Sequence, residues 1–331
     1  MRKNPIIRYI LHNQVIEALL LVALAWILLG IRNILVALFI SYIIMAALSP
    51  MVEFLRKYKI PKTIAVTISY LSALLFILLL IVPLVPFFMS QVQSLLFNFP
   101  LYLDRAAGLV GIKISSLQMQ EFINGELNLL SKNALTFTTK LFDGIFSLVT
   151  VLVVSFYLML DHQRVKEGIS SLFPEKHKAD VHSTLLQIDE KLGAWLRGQL
   201  VLSVFIGSLT WVALTLLNVE YALPLALIAG ILEIIPTIGP IVSAIPAIIV
   251  VLNVSPAFTF VIIAVYMGIQ AIENNFLVPK IMQRAVGLNP IVIILGIILG
   301  AELMGVVGAL LSIPFISLLV IIFKSLKKFE S

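Results

Sequence analysis

Six charged side chains occur between positions 200 and 323, and three of them are glutamates within or beside apolar stretches: Glu233, Glu273 and Glu302. An ionisable group at membrane depth costs about 3 kcal/mol or more and usually serves a pathway or a proton relay. We therefore interpret Glu233 and Glu273 as functional candidates. The alternative is a structural hydrogen bond at a helix end, and Glu302 is equally compatible with a place at the membrane surface.

Two of these glutamates adjoin helix-breaking residues. Glu233 lies just before a segment in which Pro236, Gly239 and Pro240 interrupt an apolar stretch, and Glu302 lies in a second break bounded by glycines. A broken helix frees backbone amides and carbonyls, which can bind a polar solute or an ion where they line a cavity. A glutamate beside such a break can also carry a proton.

The most polar patch of this apolar half is Gln270, Glu273, Asn274 and Asn275. Amide and carboxyl groups both donate and accept hydrogen bonds, as recognition of a polar solute requires. We predict no catalytic residue, no metal site and no cofactor. The predicted substrate- or ion-binding residues are Glu233, Pro236, Gly239, Pro240, Gln270, Glu273, Asn274, Asn275 and Glu302.

The composition of the chain indicates a membrane protein. Of its 331 residues, 60% are hydrophobic and 12% are charged, and the mean hydropathy is +1.09. These values exclude a soluble enzyme, a secreted module and a disordered protein. The net charge of +6 comes without a dense basic patch, so we expect no nucleic-acid partner. The absence of cysteine excludes disulfides and thiol catalysis, and no Walker-type or zinc-protease motif occurs.

The placement of Lys and Arg orients the apolar segments. The N-terminus, the 56–62 loop, residues 161–199 and the C-terminus are basic and should be cytoplasmic. This arrangement predicts that the first two helices form an antiparallel hairpin in the membrane.

The same reasoning gives two further hairpins. Segments 222–252 and 291–323 each have to enter and leave the membrane on one side, the first from outside and the second from inside. Units 200–252 and 256–323 then have opposite orientations, which is typical of inverted repeats in transporters. Each hairpin could instead be two full spans, but the arms of 222–252 are short for that, which favours re-entrant hairpins.

We therefore predict an all-α polytopic membrane protein with about eight membrane segments, two broken or re-entrant hairpins and an inverted repeat in the C-terminal half. An apolar stripe over 115–143 predicts a helix that lies on the outer membrane surface, packs on its own domain or contacts another subunit. The predicted parts are membrane helices acting as a scaffold (1–89), an extracytoplasmic helical segment (90–143), the fourth helix with a cytoplasmic amphipathic loop (144–199), a transport unit (200–323) and a basic cytoplasmic tail (324–331).

Five motifs occur in order along the C-terminal half of the chain. They are Ala194-Trp-Leu-Arg-Gly-Gln199, Leu232-Glu-Ile-Ile-Pro-Thr-Ile-Gly-Pro240, Glu273-Asn-Asn-Phe-Leu-Val-Pro279, Val286-Gly-Leu-Asn-Pro290, and Gly305-x-x-Gly308 through Pro314. Together they closely resemble the AI-2E-type (autoinducer-2 exporter) family of bacterial permeases. The resemblance is strong over 190–323 and collinear but looser before residue 160. Asn289 departs from the histidine expected in the fourth motif.

The resemblance implies eight membrane segments, homo-oligomers that are pentamers in members of known architecture, and an elevator-like movement of the hairpin half. It also implies export of small polar solutes such as the quorum-sensing signal autoinducer-2, whereas some relatives are assigned sodium (lithium)/proton antiport. We expect a secondary exporter in the bacterial plasma membrane with both termini cytoplasmic. The alternatives are Na⁺(Li⁺)/H⁺ antiport through the same glutamates and a scaffold that transports nothing.

Overall fold

The computed structural model describes residues 14–76, 78–79, 101–102, 108, 134–236, 238–282 and 289–330. Within these ranges the chain consists of helices joined by turns, with no strand. Five of the described helices are long and apolar enough to cross a bilayer, and three shorter apolar helices accompany them. A helix satisfies its backbone hydrogen bonds internally, as a lipid environment demands. The predicted all-α polytopic membrane fold is confirmed.

The helices share an apolar composition and are numbered here in chain order. Those that we label are α1 (Gln14–Gly30), α2 (Arg32–Lys57), α3 (Lys62–Phe76), α4 (Ala134–Ser171), α5 (Glu175–Leu216), α6 (Ala222–Leu232), α7 (Ile238–Leu252), α8 (Pro256–Ile272), a π-helical turn (Glu273–Leu277), α9 (Val278–Ile281) and α10 (Pro290–Glu330).

Helices α1 and α2 join end to end, so the predicted first hairpin is wrong. The Ile31 amide donates to the Ile27 carbonyl at 3.0 Å, and the Leu35 amide donates to the Ile31 carbonyl at 3.1 Å. The described parts of the two helices make no extended packing contact. Gly30 and Arg32 suggest a turn, but the helical hydrogen bonds continue on both sides of Ile31.

Residues 144–199 are almost entirely helical, so the expectation of a loop there is wrong. Helix α4 continues to Ser171 and α5 begins at Glu175, so only residues 172–174 separate them. The charged, amphipathic pattern belongs to the C-terminal part of α4 and the N-terminal part of α5. The 115–143 stripe lies largely outside the described residues, and its last part forms the first turns of α4. The basic segment after position 323 continues α10.

Helix α5 is the central element, since α2, α6 and α10 all pack against it. In the N-terminal half of α5, Asp189 accepts a hydrogen bond from the Tyr42 hydroxyl of α2 at 2.5 Å. The same carboxylate contacts His162 Nε2 at 2.8 Å and Lys166 Nζ at 2.5 Å, both on α4. One acidic side chain thus ties α5 to two neighbouring helices.

A second joint between α5 and α2 depends on a proline. Pro50 lies inside α2 and has no amide hydrogen, so it cannot donate to the Ala46 carbonyl one turn earlier. The Arg197 guanidinium of α5 donates to the Ala46 and Ala47 carbonyls at 3.2 and 3.1 Å. Gly193, one turn before Arg197, lies so close to Ala46 that a Cβ there would clash with the α2 backbone.

The first C-terminal hairpin consists of α6 and α7, which contain 11 and 15 residues. At 1.5 Å per residue these arms are about 16 and 22 Å long, and both are shorter than the roughly 30 Å hydrocarbon layer. Their lengths agree with the re-entrant form that the sequence predicts.

The second hairpin lies within α10, which folds back at Met304 and Gly305. Gly305 has φ +61° and ψ −145°, a conformation that is essentially restricted to glycine. The two arms touch through small residues, since a Cβ on Gly300 or Gly308 would clash with the backbone of the other. The break predicted in the 300–305 region therefore occurs at its C-terminal end.

Candidate functional site

Two buried carboxyl groups meet at the end of the first hairpin. Glu233 is 1% exposed and Glu273 is 3% exposed. Their side chains lie within hydrogen-bonding reach of each other. Carboxyl oxygens approach so closely when a proton lies between them, because an ionised carboxylate can only accept. The pair is therefore a place where one proton can be shared.

The backbone around Glu233 explains its position. Helix α6 ends at Leu232, and the Glu233 amide still donates to the Ala229 carbonyl at 3.0 Å. Pro236 then lies in the connecting turn, and α7 begins at Ile238. Glu233 is thus the first residue after the helix, with its side chain buried at the break.

Gly239 and Pro240 are not in the turn itself, since both belong to the first turn of α7. Gly239 is buried against the end of α6, and a Cβ at this position would clash with the Leu232 carbonyl. The Pro240 carbonyl accepts a hydrogen bond from the Ser243 hydroxyl at 2.9 Å. These residues bring the two arms together and contribute no side-chain polar group to the carboxyl pair.

Glu273 begins the π-helical turn that follows α8. Such turns are rare and occur often at functional sites. Pro279 follows soon afterwards in α9 and has no amide hydrogen for the Asn275 carbonyl. The motif after Glu273 reads as ordinary helix in the sequence, and the wider turn was not predicted.

The amides predicted beside Glu273 divide into two groups. Gln270 Nε2 donates to Glu273 Oε2 at 3.0 Å and also lies 3.4 Å from Asn274 Oδ1. Asn275 instead donates to the Ala271 carbonyl of its own helix at 2.8 Å. Asn274 and Asn275 are exposed, so the polar patch extends from the buried carboxyl pair to the surface of the described chain.

Sequence reasoning missed Gln199 as a member of this cluster. Its side chain is fully buried on α5, and its Nε2 donates to the Glu233 backbone carbonyl at 2.6 Å. It therefore holds the broken end of α6 against α5. Its position directly after Arg197 and Gly198 suggests a residue at the membrane boundary, which is why sequence reasoning assigned it no role. The signal that could have found it is a single amide side chain at the start of an apolar run.

Glu302 lies elsewhere. It is exposed and precedes the Gly305 kink of the second hairpin. The hydrogen bonds described for Gln270 and Glu273 do not involve it. The kink itself borders a cavity of about 440 Å³ that also contacts the start of α2. The sequence placed five of the nine candidates at two helix breaks and the other four in a separate polar patch, and the structure gathers Glu233, Gln270, Glu273 and Asn274 at the first break.

The cluster thus offers amide and carboxyl groups that can donate and accept hydrogen bonds, together with one shared proton. Within the part of the chain that the structure describes, no group of three or more His, Asp or Glu side chains is placed to hold a metal ion. The arrangement suits a polar solute or a proton, at a helix break within a membrane protein.

The comparison with protein families agrees with the motifs and with this architecture. The family model described as AI-2E family transporter matches residues 16–328. The chain belongs to the AI-2E family of transporters. Membership of a transporter family and the apolar helices described above agree with a multi-pass membrane protein.

Individual relatives within the AI-2E family are distant but collinear over most of their length. The AI-2 transport protein TqsA of Escherichia coli (strain K12) is 27% identical over 306 residues, which cover 87% of this chain and 86% of TqsA. The candidate transport protein YhhT of the same strain is 28% identical over 315 residues, or 90% of this chain and 87% of YhhT. The candidate transport protein YrrI of Bacillus subtilis (strain 168) is 26% identical over 300 residues, or 86% and 84%.

Proposed function

We propose that this AI-2E family transporter is a secondary exporter of a small polar solute, with autoinducer-2 as the first candidate. The observation that carries the proposal is the buried cluster of Glu233, Gln270 and Glu273 at the end of a re-entrant helix. The name of the relative TqsA, an AI-2 transport protein, supports the choice of solute.

The chemistry of the cluster suits a hydroxyl-rich solute. Gln270, Asn274 and the carboxyl pair supply donors and acceptors close to one another. The backbone of the α6–α7 turn is largely hydrogen-bonded within itself, from the Ile235 amide to the Leu232 carbonyl and from the Gly239 amide to the Ile235 carbonyl, so recognition of the solute falls to the side chains. The exposed Asn274 gives a solute a route from the surface of the described chain to the buried pair.

The proposal includes an orientation. The plasma membrane of a bacterium, with both termini in the cytoplasm, agrees with the placement of Lys and Arg. Solute, lipid bilayer and further copies of the chain are the expected partners, and the homo-oligomer rests on family resemblance. The relatives described above give no support to Na⁺(Li⁺)/H⁺ antiport, which enters here as an outcome of the test.

The decisive experiment uses purified protein in proteoliposomes loaded with autoinducer-2 and an internal pH dye. A pH gradient is imposed, and release of autoinducer-2 and the internal pH are followed together. We expect wild type to release autoinducer-2, and Glu273→Gln to lower the rate at least tenfold because the shared proton is lost. Glu53→Gln is the matched control, because Glu53 is an exposed α2 residue hydrogen-bonded to Ser49.

Other results would lead elsewhere. A proton flux triggered by Na⁺ or Li⁺ that Glu273→Gln abolishes would replace the exporter by an antiporter. An equal loss in Glu53→Gln would indicate damage to the protein instead of the site. No flux of any kind in folded wild type would favour a scaffold.

The orientation has its own test, made simple by the lack of native cysteine. Val254 lies in the turn before α8 and is 72% exposed, and Lys176 lies exposed at the start of α5. In intact cells an impermeant maleimide should label Val254→Cys, and should label Lys176→Cys only after the membrane is opened. The reverse pattern would invert the proposed topology.

A further inference from the structure

Several buried polar atoms around the carboxyl pair make no hydrogen bond within the described part of the chain. Three lie on α5, one lies on α8 and one belongs to the glutamate at the break. The atoms are Gln199 Oε1, Ser203 Oγ, Thr210 Oγ1, Tyr266 OH and Glu233 Oε2. In native proteins such atoms are few and are usually satisfied by ordered water.

These atoms follow two helix faces. Gln199, Ser203 and Thr210 are separated by four and seven residues, which places them on one stripe of α5. Tyr266 precedes Glu273 by seven residues, so these two share a face of α8. The α5 stripe faces α6, since Gln199 reaches the Glu233 carbonyl and Gly207, between Ser203 and Thr210, lies against Gly230. Tyr266 belongs to a buried cluster that α5, α6, α7 and α8 share. The unsatisfied atoms therefore lie where α5 and α8 both pack against the first hairpin.

The stripe has a direction. Gln199 and Thr210 are about 16 Å apart along α5, and Tyr266 is about 10 Å along α8 from Glu273, at 1.5 Å per residue. Beyond Thr210, α5 ends at Leu216, next to the turn that leads into the first hairpin. In the orientation proposed above this is the outer end, so the stripe leads from the carboxyl pair toward the outer surface.

An unsatisfied buried hydroxyl or amide costs roughly 1–3 kcal/mol, and several in one interface would be expensive to keep dry. Water bridging these atoms removes that cost, because each water forms two to four hydrogen bonds. A row of water and hydroxyl groups also conducts protons, since each member both donates and accepts.

We propose that a hydrated path between α5, α8 and the first hairpin carries protons between the outer side of the membrane and the Glu233–Glu273 pair. This inference rests on the proposed function and names its coupling ion. A proton that enters from outside forms an O–H bond with the ionised member of the pair. That bond breaks later in the transport cycle, when the proton leaves toward the inside. The energy released by inward proton movement then drives the solute outward.

The groups that face the pair fit this role. Helices α6 and α7 carry no titratable side chain, and on α8 the titratable group facing inward is Tyr266. On α5 the Arg197 cation is directed to the α2 carbonyls. In the described residues no cation is paired with either glutamate, so the pair can exchange its proton.

Hydration is tested directly by X-ray hydroxyl-radical footprinting of wild type in detergent or nanodiscs. Radicals formed from internal water should modify Tyr266 in spite of its burial. Met45 is the internal reference, because its intrinsically reactive side chain is 0% exposed in an apolar cluster. Rapid labelling of Tyr266 with Met45 unmodified is expected. Protection of both residues would overturn the proposal.

Proton conduction is tested with Thr210→Val and Tyr266→Phe, which remove a hydroxyl at nearly constant shape. The controls are Thr67→Val and Tyr70→Phe on α3, whose hydroxyls bond to the Thr63 carbonyl and to Ser155. In proteoliposomes loaded with autoinducer-2, we expect the two path variants to lower the proton flux at least fivefold. The two controls should change it less than twofold.

The outcomes separate the two claims. Autoinducer-2 release by wild type without any proton flux would leave the exporter in place and overturn the proton path. Unchanged proton flux in both path variants would overturn it as well. If wild type moves neither solute nor protons, the proposed function fails with it, whatever the footprint shows.

Discussion

The two C-terminal hairpins share a topology but differ in what holds them together. The first bends at Glu233 and Pro236, where the Glu233 carboxyl is buried within reach of Glu273 and the Glu233 carbonyl accepts a hydrogen bond from Gln199 of α5. The second bends at Gly305 and closes through Gly300 and Gly308, where backbone touches backbone. The two hairpins thus have a similar shape, but among the described residues only the first contains a buried ionisable side chain.

The difference shows that a helix break is not by itself a binding site. Both bends interrupt an apolar helix, but among the described residues side-chain donors and acceptors converge on the first of them. The second bend relies on close packing of small residues, which favours a rigid hairpin. The first hairpin therefore supplies the polar side chains and the second supplies close packing of its arms. Each of these roles can be tested.

The largest contrast is expected between two identical substitutions. Glu233→Gln should lower autoinducer-2 release about 100-fold, equivalent to nearly 3 kcal/mol, because the pair loses its shared proton. Glu302→Gln on the second hairpin should lower it less than threefold. Initial rates in proteoliposomes measure both, and similar losses would show that the two bends act alike.

The second contrast concerns stability. Gly308→Val should lower the free energy of unfolding by about 3 kcal/mol, because its side chain overpacks against Gly300. Thermal unfolding in detergent can be followed by the fluorescence of the buried Trp195. A well-folded Gly308→Val variant of unchanged stability would contradict the close packing of the arms.

A smaller loss is expected at the second bend itself. Gly305→Ala should cost about 2 kcal/mol, since its φ and ψ lie in a region that side chains avoid. Gly305→Asn should cost as much, because asparagine tolerates the left-handed helical region and not this one. Recovery of stability with asparagine would show that the bend adopts a different conformation in solution.

The smallest effect serves as the baseline for both glycine predictions. A Cβ on Gly268 of α8 would meet open space. Gly268→Ala should therefore raise the free energy of unfolding by about 0.5–1 kcal/mol, the gain in helix propensity. A loss of several kcal/mol would mean that the face around Gly268 is packed against another molecule.

Much of this architecture could be predicted because its causes are local. Proline and glycine at Pro236 and Gly305 mark both bends, and apolar length marks the spans. The contact between Glu233 and Glu273 could not be predicted, since it depends on how α8 packs beside the α6–α7 turn. The same applies to Gln199, whose partner is a backbone carbonyl 34 residues away.

The errors have a similar origin. The basic N-terminus and the basic 56–62 loop predicted a hairpin, but the decision between a turn and a continued helix depends on whether the next segment folds back to pack. Residues 161–199 are charged enough to suggest a loop, yet Asp189 and Arg197 use those charges to fasten a long helix to α2. A charged pattern therefore indicates which residues can meet water, but it does not indicate whether the backbone there is a loop or a helix.

The contact of Arg197 with the two α2 carbonyls has a mechanical consequence. Together with the Asp189 contact, it holds the first half of α5 to α2 while about 28 Å of the helix continues to Leu216. A tilt of about 10° around Arg197 would displace the far end by about 5 Å and would leave Gln199, only two residues away, nearly stationary. The carboxyl pair thus lies close to the pivot of such a tilt, where a bound group keeps its contacts while the far end of α5 moves.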